Sequence, residues 1–403
     1  MFLSSLRAIG ERRKVKGMAK SAPPPSETSD QFLFRDAFNA DVVDYIADGL
    51  ANARPGVDAE TFRQKALAGL SDLTYLDRAR HIVAALETVL PNDFPTAARV
   101  LISSLGPEPT TEALKGFDGF YVMPLCMYVS RHGMDHPDVS LSTLYEMTKR
   151  FTAEGDIRPF IERYPEKTLR FLEELTEDPS PFARRLASEG TRPRLPLAPR
   201  LPKFQKDPTR VIRLLDRLYT DGNLMVRRSV ANCINDISKD NPEIAVETVA
   251  RWQAENPGPR TEWIVRHGLR TLIKAGDTAA LETLGYRRID FDVSPLSLSS
   301  SVLTLGDSLT FAFEISHDLP EEVRVALNYV IHFVKANGQR RPKVFRMTDK
   351  VLEPGIRQPI SKTHKFLPYK NQSFYPGEHK IEIVANGMPV ASAAFYLSIP
   401  EVE

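Results

Sequence analysis

From residue 31 to residue 286 the apolar positions fall at three- and four-residue spacing. In VVDYIADGL (42–50) and ARHIVAALETVL (79–90) they line one stripe of a helix. Prolines and Asp/Asn–Pro pairs, as at Asp178–Pro179, Asp207–Pro208 and Asn241–Pro242, close one helix and open the next. From Arg287 onward the period changes to two. SLTFAFEIS (308–316), NYVIHFVKA (328–336), HKIEIVAN (379–386) and ASAAFYLSI (391–399) alternate and read as strands. Asn337–Gly338 is a dipeptide favoured in two-residue hairpin turns, and Pro376–Gly377 marks another turn. Several alternating strands in roughly 115 residues predict a β-sandwich. No Cys…Trp…Cys framework is present, so "immunoglobulin-like" describes architecture only.

The helical part repeats itself. FARRLASEG (182–190), MVRRSVANC (225–233) and IVRHGLRTL (264–272) each place basic residues ahead of an apolar helical stripe. Their equivalent arginines, Arg184, Arg227 and Arg266, stand 43 and 39 residues apart. A period of about 40 residues is the signature of HEAT or armadillo arrays, whose units stack into a curved solenoid with a concave binding surface. The expected fold is multidomain: an all-α HEAT-like repeat solenoid followed by an all-β immunoglobulin-like sandwich. The expected boundaries are 1–30 for a disordered basic, Pro-rich arm, 31–286 for the repeat domain and 287–403 for the sandwich.

Composition narrows the function. The chain has 403 residues, 42% hydrophobic and 26% charged, as a soluble globular protein of two or three domains has. No apolar run approaches the ~20 residues of a membrane span. The N-terminal stretch lacks the long apolar core of a secretory signal, so a cytoplasmic location is expected. Cys126 and Cys233 read as buried thiols, and nothing has metal-ligand spacing. Net charge is only +1, so a nucleic-acid reading must rest on a local patch. Phe182–Arg217 supplies one: ten basic residues (Arg184, Arg185, Arg192, Arg194, Arg200, Lys203, Lys206, Arg210, Arg213 and Arg217) against three acidic ones. The Pro-rich linker TRPRLPLAPRLP (191–202) lies inside it. Arginine forks suit phosphate oxygens, and charge neutralisation along a groove gives salt-sensitive DNA binding.

Several strings resemble the AlkC group of bacterial DNA alkylation repair proteins, relatives of the AlkD glycosylases. They are LYEMTKRFTAEGDIRPFIERYPEKT (144–168), ASEGTRPRLPLAPRL (187–201), VRRSVANCINDISKDNPE (226–243), RHGLRTLIKAGDTAALETLGY (266–286), FNADVVDYIADGL (38–50) and ARHIVAALETVLP (79–91). The resemblance covers roughly residues 31–286, and the sandwich matches the longer branch of the group. It implies a monofunctional glycosylase that hydrolyses the N-glycosidic bond of 3-methyladenine and 3-methylcytosine in double-stranded DNA. It also implies action with no metal or organic cofactor and without full base flipping; a monomer is expected because a DNA-tracking solenoid needs no partner subunit. Glu154, Glu189 and Asp236 match the group's motif carboxylates and are the candidate catalytic residues. Two positions depart from the pattern. Leu197 stands where the group has tryptophan in PRLPWAPR, and Gly155–Asp156 replaces the Phe–Ala of FTAEFAIRPF.

The same residues can be argued from chemistry. Glu154, Glu189 and Asp236 are 35 and 47 residues apart, near one repeat each, and residues one repeat apart tend to share a face. Carboxylates beside a basic segment would repel DNA unless something cationic sits among them. A 3-alkylated base is cationic, and its departure leaves an oxocarbenium-like sugar. A carboxylate about 4 Å from such a charge contributes roughly 4 kcal/mol at an effective dielectric near 20. Stabilisation that is larger in the transition state than in the ground state accelerates cleavage, and a carboxylate also orients water. Arg158, Arg192, Arg194, Arg227, Arg228 and Arg266 are the expected phosphate ligands, with Arg340 and Arg341 on a basic, turn-like segment of the sandwich. Two other readings stay open here: a non-catalytic helical-repeat scaffold for a protein partner, and a DNA-damage binder without cleavage.

Overall fold

The computed structural model describes residues 34–109, 119–367 and 373–400. The expected N-terminal arm lies outside them. The chain divides into two compact units, Met1–Ile237 and Ser238–Glu403.

The first unit is helical. Its helices are α1 (Ala40–Ala53), α2 (Ala59–Leu67), α3 (Tyr75–Glu87), α4 (Phe94–Ser104), α5 (Val122–His132), α6 (Pro137–Thr148), α7 (Arg158–Arg163), α8 (Pro165–Leu175), α9 (Pro181–Glu189), α10 (Pro202–Lys206), α11 (Thr209–Leu218) and α12 (Leu224–Ile237). Asn39, Asp58 and Asp93 cap α1, α2 and α4 by accepting from the N–H three residues on. Proline opens α6, α8, α9 and α10, where its missing N–H costs nothing. Helix α1 packs on α4, and α9 packs on α12.

The period of 43 residues is visible atom by atom. Asp178 Oδ1 accepts from Ser180 N at 2.7 Å, and Asp221 Oδ1 accepts from Asn223 N at 2.8 Å. Arg184 Nη1 then donates to the carbonyls of Asp178 and Pro179, as Arg227 Nη1 does to those of Asp221 and Gly222. The same turn chemistry thus starts α9 and α12. Arg184 also bridges to Asp221, at 2.6 Å, so one unit is tied to the next.

The second unit begins with α13 (Pro242–Glu255), α14 (Pro259–Gly268), α15 (Arg270–Ala275) and α16 (Thr278–Thr283). IVRHGLRTL, expected as one stripe, is split: α14 ends at Gly268 and α15 ends where Gly276 turns left-handed. The change from helix to strand falls between Thr283 and Asp292, whereas the boundary between the compact units falls earlier, after Ile237.

The strands are β1 (Asp292–Val293), β2 (Ser297–Leu298), β3 (Val302–Thr304), β4 (Ser308–Ser316), β5 (Val323–Val334), β6 (Arg340–Leu352), β7 (Gln358–Lys365), β8 (Gly377–Ala385) and β9 (Met388–Ser398). One sheet has β1 and β2 on one side of β4 and β7 on the other. The second runs β3-β9-β8-β5-β6, antiparallel except for β3 beside β9. Leu309, Phe311, Phe313 and Ile315 of β4 share one core with Val325, Leu327, Tyr329 and Ile331 of β5 and with Ile381 and Ile383 of β8. This is the expected sandwich. NGQRRPKVFR, expected as a loop, is instead mostly edge strand β6. Its hairpin is longer than two residues: Lys335 N donates to Gln339 O, and Gly338 N to Lys335 O, with Gly338 left-handed at φ 74°.

Candidate active site

The three carboxylates matched to the family motif, and spaced near one repeat each, meet in space in the first unit. Glu189 ends α9 and Asp236 lies in the last turn of α12. One period of 43 carries Glu189 onto Asn232, and Asp236 is one helical turn further along the same face. Glu154 stands in the turn between α6 and α7.

They meet through arginines. Arg185 Nη2 lies 2.7 Å from Glu154 Oε2 and 3.7 Å from Glu189 Oε1. Arg192 Nη1 lies 2.6 Å from Glu189 Oε1, and its Nε lies 2.8 Å from Asp236 Oδ2. The result is an alternating chain, Glu154–Arg185–Glu189–Arg192–Asp236. Thr152 steadies its outer end, donating to Glu154 Oε2 at 2.7 Å and accepting from Arg185 at 3.1 Å. The side chains of Glu189 and Asp236 are 6% and 2% exposed, while that of Glu154 is 24% exposed. Glu154 is therefore the member of the chain that solvent reaches most readily among the carboxylates.

Burial opposes the ionisation of Glu189. Arg185 and Arg192, with hydrogen bonds from Ser229 and Arg192, outweigh it and hold the carboxyl below its ordinary pKa. Arg192 is likewise held firmly cationic, because Glu189 and Asp236 overcome its own burial.

Around Glu154 lie Tyr75 and Ser130, which the sequence did not single out, together with Asp156 and Gly155, which it did. Burial, then the charge of Glu154, pushes the Tyr75 phenol up to about 12. Asp156, one of the two departures from the family pattern, accepts from Ser130 Oγ at 2.7 Å. Burial raises its pKa to about 7, with a smaller push from Glu154, against the bond from Ser130. A Cβ built on Gly155 would meet nothing within 4 Å, so the glycine leaves open space beside Glu154. Leu197, the other departure, is 72% exposed with a left-handed φ of 60°.

The structure reassigns several expected phosphate ligands. Arg158 is 1% exposed, and its guanidinium is turned onto the carbonyls of Gly190, Arg192 and Pro199. Arg192 is 8% exposed and joins two carboxylates. Both are internal cations and not surface ones. Arg227 spends Nη1 on the turn before α12. Arg194 is partly buried and Arg228 exposed. Arg266 lies 3.5 Å from Asp349, Arg340 pairs with Glu378 at 2.6 Å, and Arg341 is exposed. The positive excess of 182–217 is also smaller at the surface than in the sequence. Arg184, Arg185 and Arg192 are paired internally, Arg210 with Glu166, and Arg217 with Glu173 and Glu177. Arg200, Lys203 and Lys206 are exposed beside the linker. Cys126 and Cys233 are buried free thiols, as expected. Among the described residues no cluster of His, Cys, Asp and Glu could hold a metal, and no helix is long and apolar enough to cross a membrane.

A family model described as the C-terminal Ig-like domain of the uncharacterised protein YhaZ matches residues 292–399. The chain is 31% identical to the YhaZ protein of Bacillus subtilis (strain 168) over 355 residues, which cover 88% of this chain and 96% of that one. Among solved structures it is similar to Pseudomonas fluorescens alkylpurine DNA glycosylase AlkC bound to DNA containing an abasic site analogue. The identity is 33% and the TM-score 0.80, over 91% of this chain and 99% of that chain.

Proposed function

The chain belongs to the family of AlkC and YhaZ, and from that premise we propose that it is a DNA glycosylase that removes cationic N-alkylated bases by simple hydrolysis. Its partner is double-stranded DNA carrying 3-methyladenine or 3-methylcytosine, and the reaction needs no metal or organic cofactor.

The observation that carries the reading is the charge of the side-chain network. Within the ion-paired chain three carboxylates alternate with two guanidiniums in a partly buried site, so the chain itself carries a net negative charge. Such a site suits a cation. Glu189 and Asp236, fixed by Arg192, stabilise the oxocarbenium ion as the bond between C1′ and the base nitrogen breaks. Glu154, reached by solvent, orients the water that attacks C1′ and takes up its proton. The electron pair of the broken bond neutralises the departing base, which needs no acid to leave. An undamaged base carries no charge for the network to attract. Arg194, Arg228, Arg266, Arg340 and Arg341, with Arg200, Lys203 and Lys206, hold the phosphates. Pairs such as Arg340–Glu378 exchange their carboxylate for DNA.

Single-turnover release of free base from methylated duplex DNA tests this, comparing the parent with Glu154→Gln and Glu189→Gln while DNA binding is measured in parallel. Release by the parent, lost in variants that still bind, is the expected result. A folded parent that binds DNA and releases neither base would overturn it in favour of a damage binder.

A further inference from the structure

The segment from Gly190 to Leu201 contains three prolines, Pro193, Pro196 and Pro199, and no helix or strand. It has few internal hydrogen bonds to hold it, one being Leu201 N to Pro193 O at 3.1 Å. Yet three of its backbone carbonyls, those of Gly190, Arg192 and Pro199, meet one buried side chain, and backbone groups held away from water require partners. Arg158 provides them. Its Nη1 donates to Gly190 O at 3.0 Å and to Arg192 O at 2.8 Å. Its Nε and Nη2 both donate to Pro199 O, at 2.8 and 2.6 Å. One planar fork thus grips both ends of the segment.

A second observation points the same way. A Cβ at Gly190 would lie 2.7 Å from Ile157 Cγ2 and 2.9 Å from Leu186 O. Gly190 has an ordinary helical φ of −64°, so its role is close approach: it lets the segment press against the residue preceding Arg158. Burial lowers the Arg158 pKa to about 10, which still leaves it a cation at neutral pH.

The position of the grip gives it a function. Arg192, whose carbonyl Arg158 holds, is the residue whose guanidinium joins Glu189 to Asp236. Leu197, exposed and left-handed, lies between the gripped carbonyls of Arg192 and Pro199. We infer that Arg158 is a positioning residue: by clamping the 190–201 segment it sets Arg192 between the two buried carboxylates and presents Leu197 at the surface. Its effect on base release rests on the glycosylase reading above, while the clamp itself does not.

Lysine cannot reproduce the fork, since it carries one point charge for three carbonyls. The test compares the parent with Arg158→Lys and with Arg158→Ala, the latter with and without added guanidinium chloride at low, non-denaturing concentration. Hydrogen exchange of the full-length protein should show faster exchange in peptides covering 190–201 and unchanged exchange in the sandwich. Single-turnover base release at saturating enzyme should fall by about 100-fold, the size of loss a small misplacement of catalytic groups produces. DNA affinity and the slope of its salt dependence should stay as in the parent, and guanidinium, but not ammonium, should restore part of the rate to Arg158→Ala. A salt slope reduced by about one, with release at saturation unchanged, would make Arg158 a phosphate ligand and end the inference. Unchanged exchange at 190–201 would end it equally, whatever the rate. If the parent releases no base, the glycosylase reading fails, and the exchange result still decides the clamp.

Discussion

Arg192 Nε donates to Asp236 Oδ2 at 2.8 Å, joining residues 44 apart in sequence, while the same guanidinium reaches Glu189 at 2.6 Å. Both carboxylates are buried and both are paired with this cation, Glu189 having Arg185 as a second one at 3.7 Å. Arg192→Met keeps volume and removes the charge. It should destabilise the folded chain by about 3–5 kcal/mol, the usual cost of leaving buried charges unpaired. The sign of the pH dependence follows from Glu189, whose pKa is depressed on folding. Its contribution is present above the ordinary glutamate pKa and is lost as pH falls through the folded value. The gap between parent and variant in urea unfolding should therefore be widest near pH 7 and narrow on acidification. A gap that is small at pH 7 would show that the two carboxylates are compensated elsewhere.

Glu154 and Glu189 should separate when rate and stability are measured together. Glu154 is the more exposed, and its pair with Arg185 is partly open to solvent. Glu154→Gln should cost less than about 1 kcal/mol of stability, as accessible ion pairs do. If its charge contributes the roughly 4 kcal/mol of a nearby carboxylate, base release should fall about 1,000-fold. Glu189→Gln should lose both rate and stability, because it leaves Arg185 and Arg192 short of a buried counter-charge. Equal stability losses in the two variants, read from urea midpoints, would contradict this division.

Asp156 makes a prediction of opposite sign. Its folded pKa is raised to about 7, against roughly 3.9 for a free aspartate. Between those values the unfolded chain has released a proton that the folded chain retains. Stability therefore falls as pH rises through this window and levels off above it. Asp156→Asn keeps an acceptor for Ser130 and removes the titration. The variant should be more stable than the parent at pH 8, by up to roughly 4 kcal/mol, and its advantage should shrink at pH 5. An advantage of the same size at both pH values would place the Asp156 carboxyl in contact with solvent.

What the sequence disclosed depended on whether a pattern carried direction. SLTFAFEIS coincides with β4 residue for residue, because strict alternation follows from burying one face. The three carboxylates were legible from the family motif; a repeat period fixes a face, so it brought Glu189 and Asp236, which end helices one repeat apart, together, whereas Glu154 stands in a turn that the period does not place. Arginine carries no such direction. Arg158 and Arg192 look identical in sequence to phosphate ligands, and only the fold turns them onto carbonyls and carboxylates. Arg185, which links Glu154 to Glu189, was one basic residue in a basic stretch until its neighbours across the chain were known. Strand β6 escaped for another reason. An edge strand needs only one partner and tolerates Pro342, so its alternation is weak and its turn-like residues dominate.

Leu197 offers a test of strain kept for function. A leucine with φ near 60° pays for a conformation that glycine adopts freely, at about 1 kcal/mol or more. Being 72% exposed, it recovers little of that by burial within the chain. Leu197→Gly should therefore raise the urea midpoint. If the strained side chain serves to meet damaged DNA, the same variant should bind methylated or abasic duplex more weakly. Leu197→Trp, which restores the aromatic residue of the family pattern, should bind it more tightly at similar stability. A glycine variant that is both more stable and as tight in binding would leave the strain without a role in DNA recognition. A stabilised variant with weakened binding would identify the tip of the clamped segment as a contact whose geometry is maintained at the expense of the free protein.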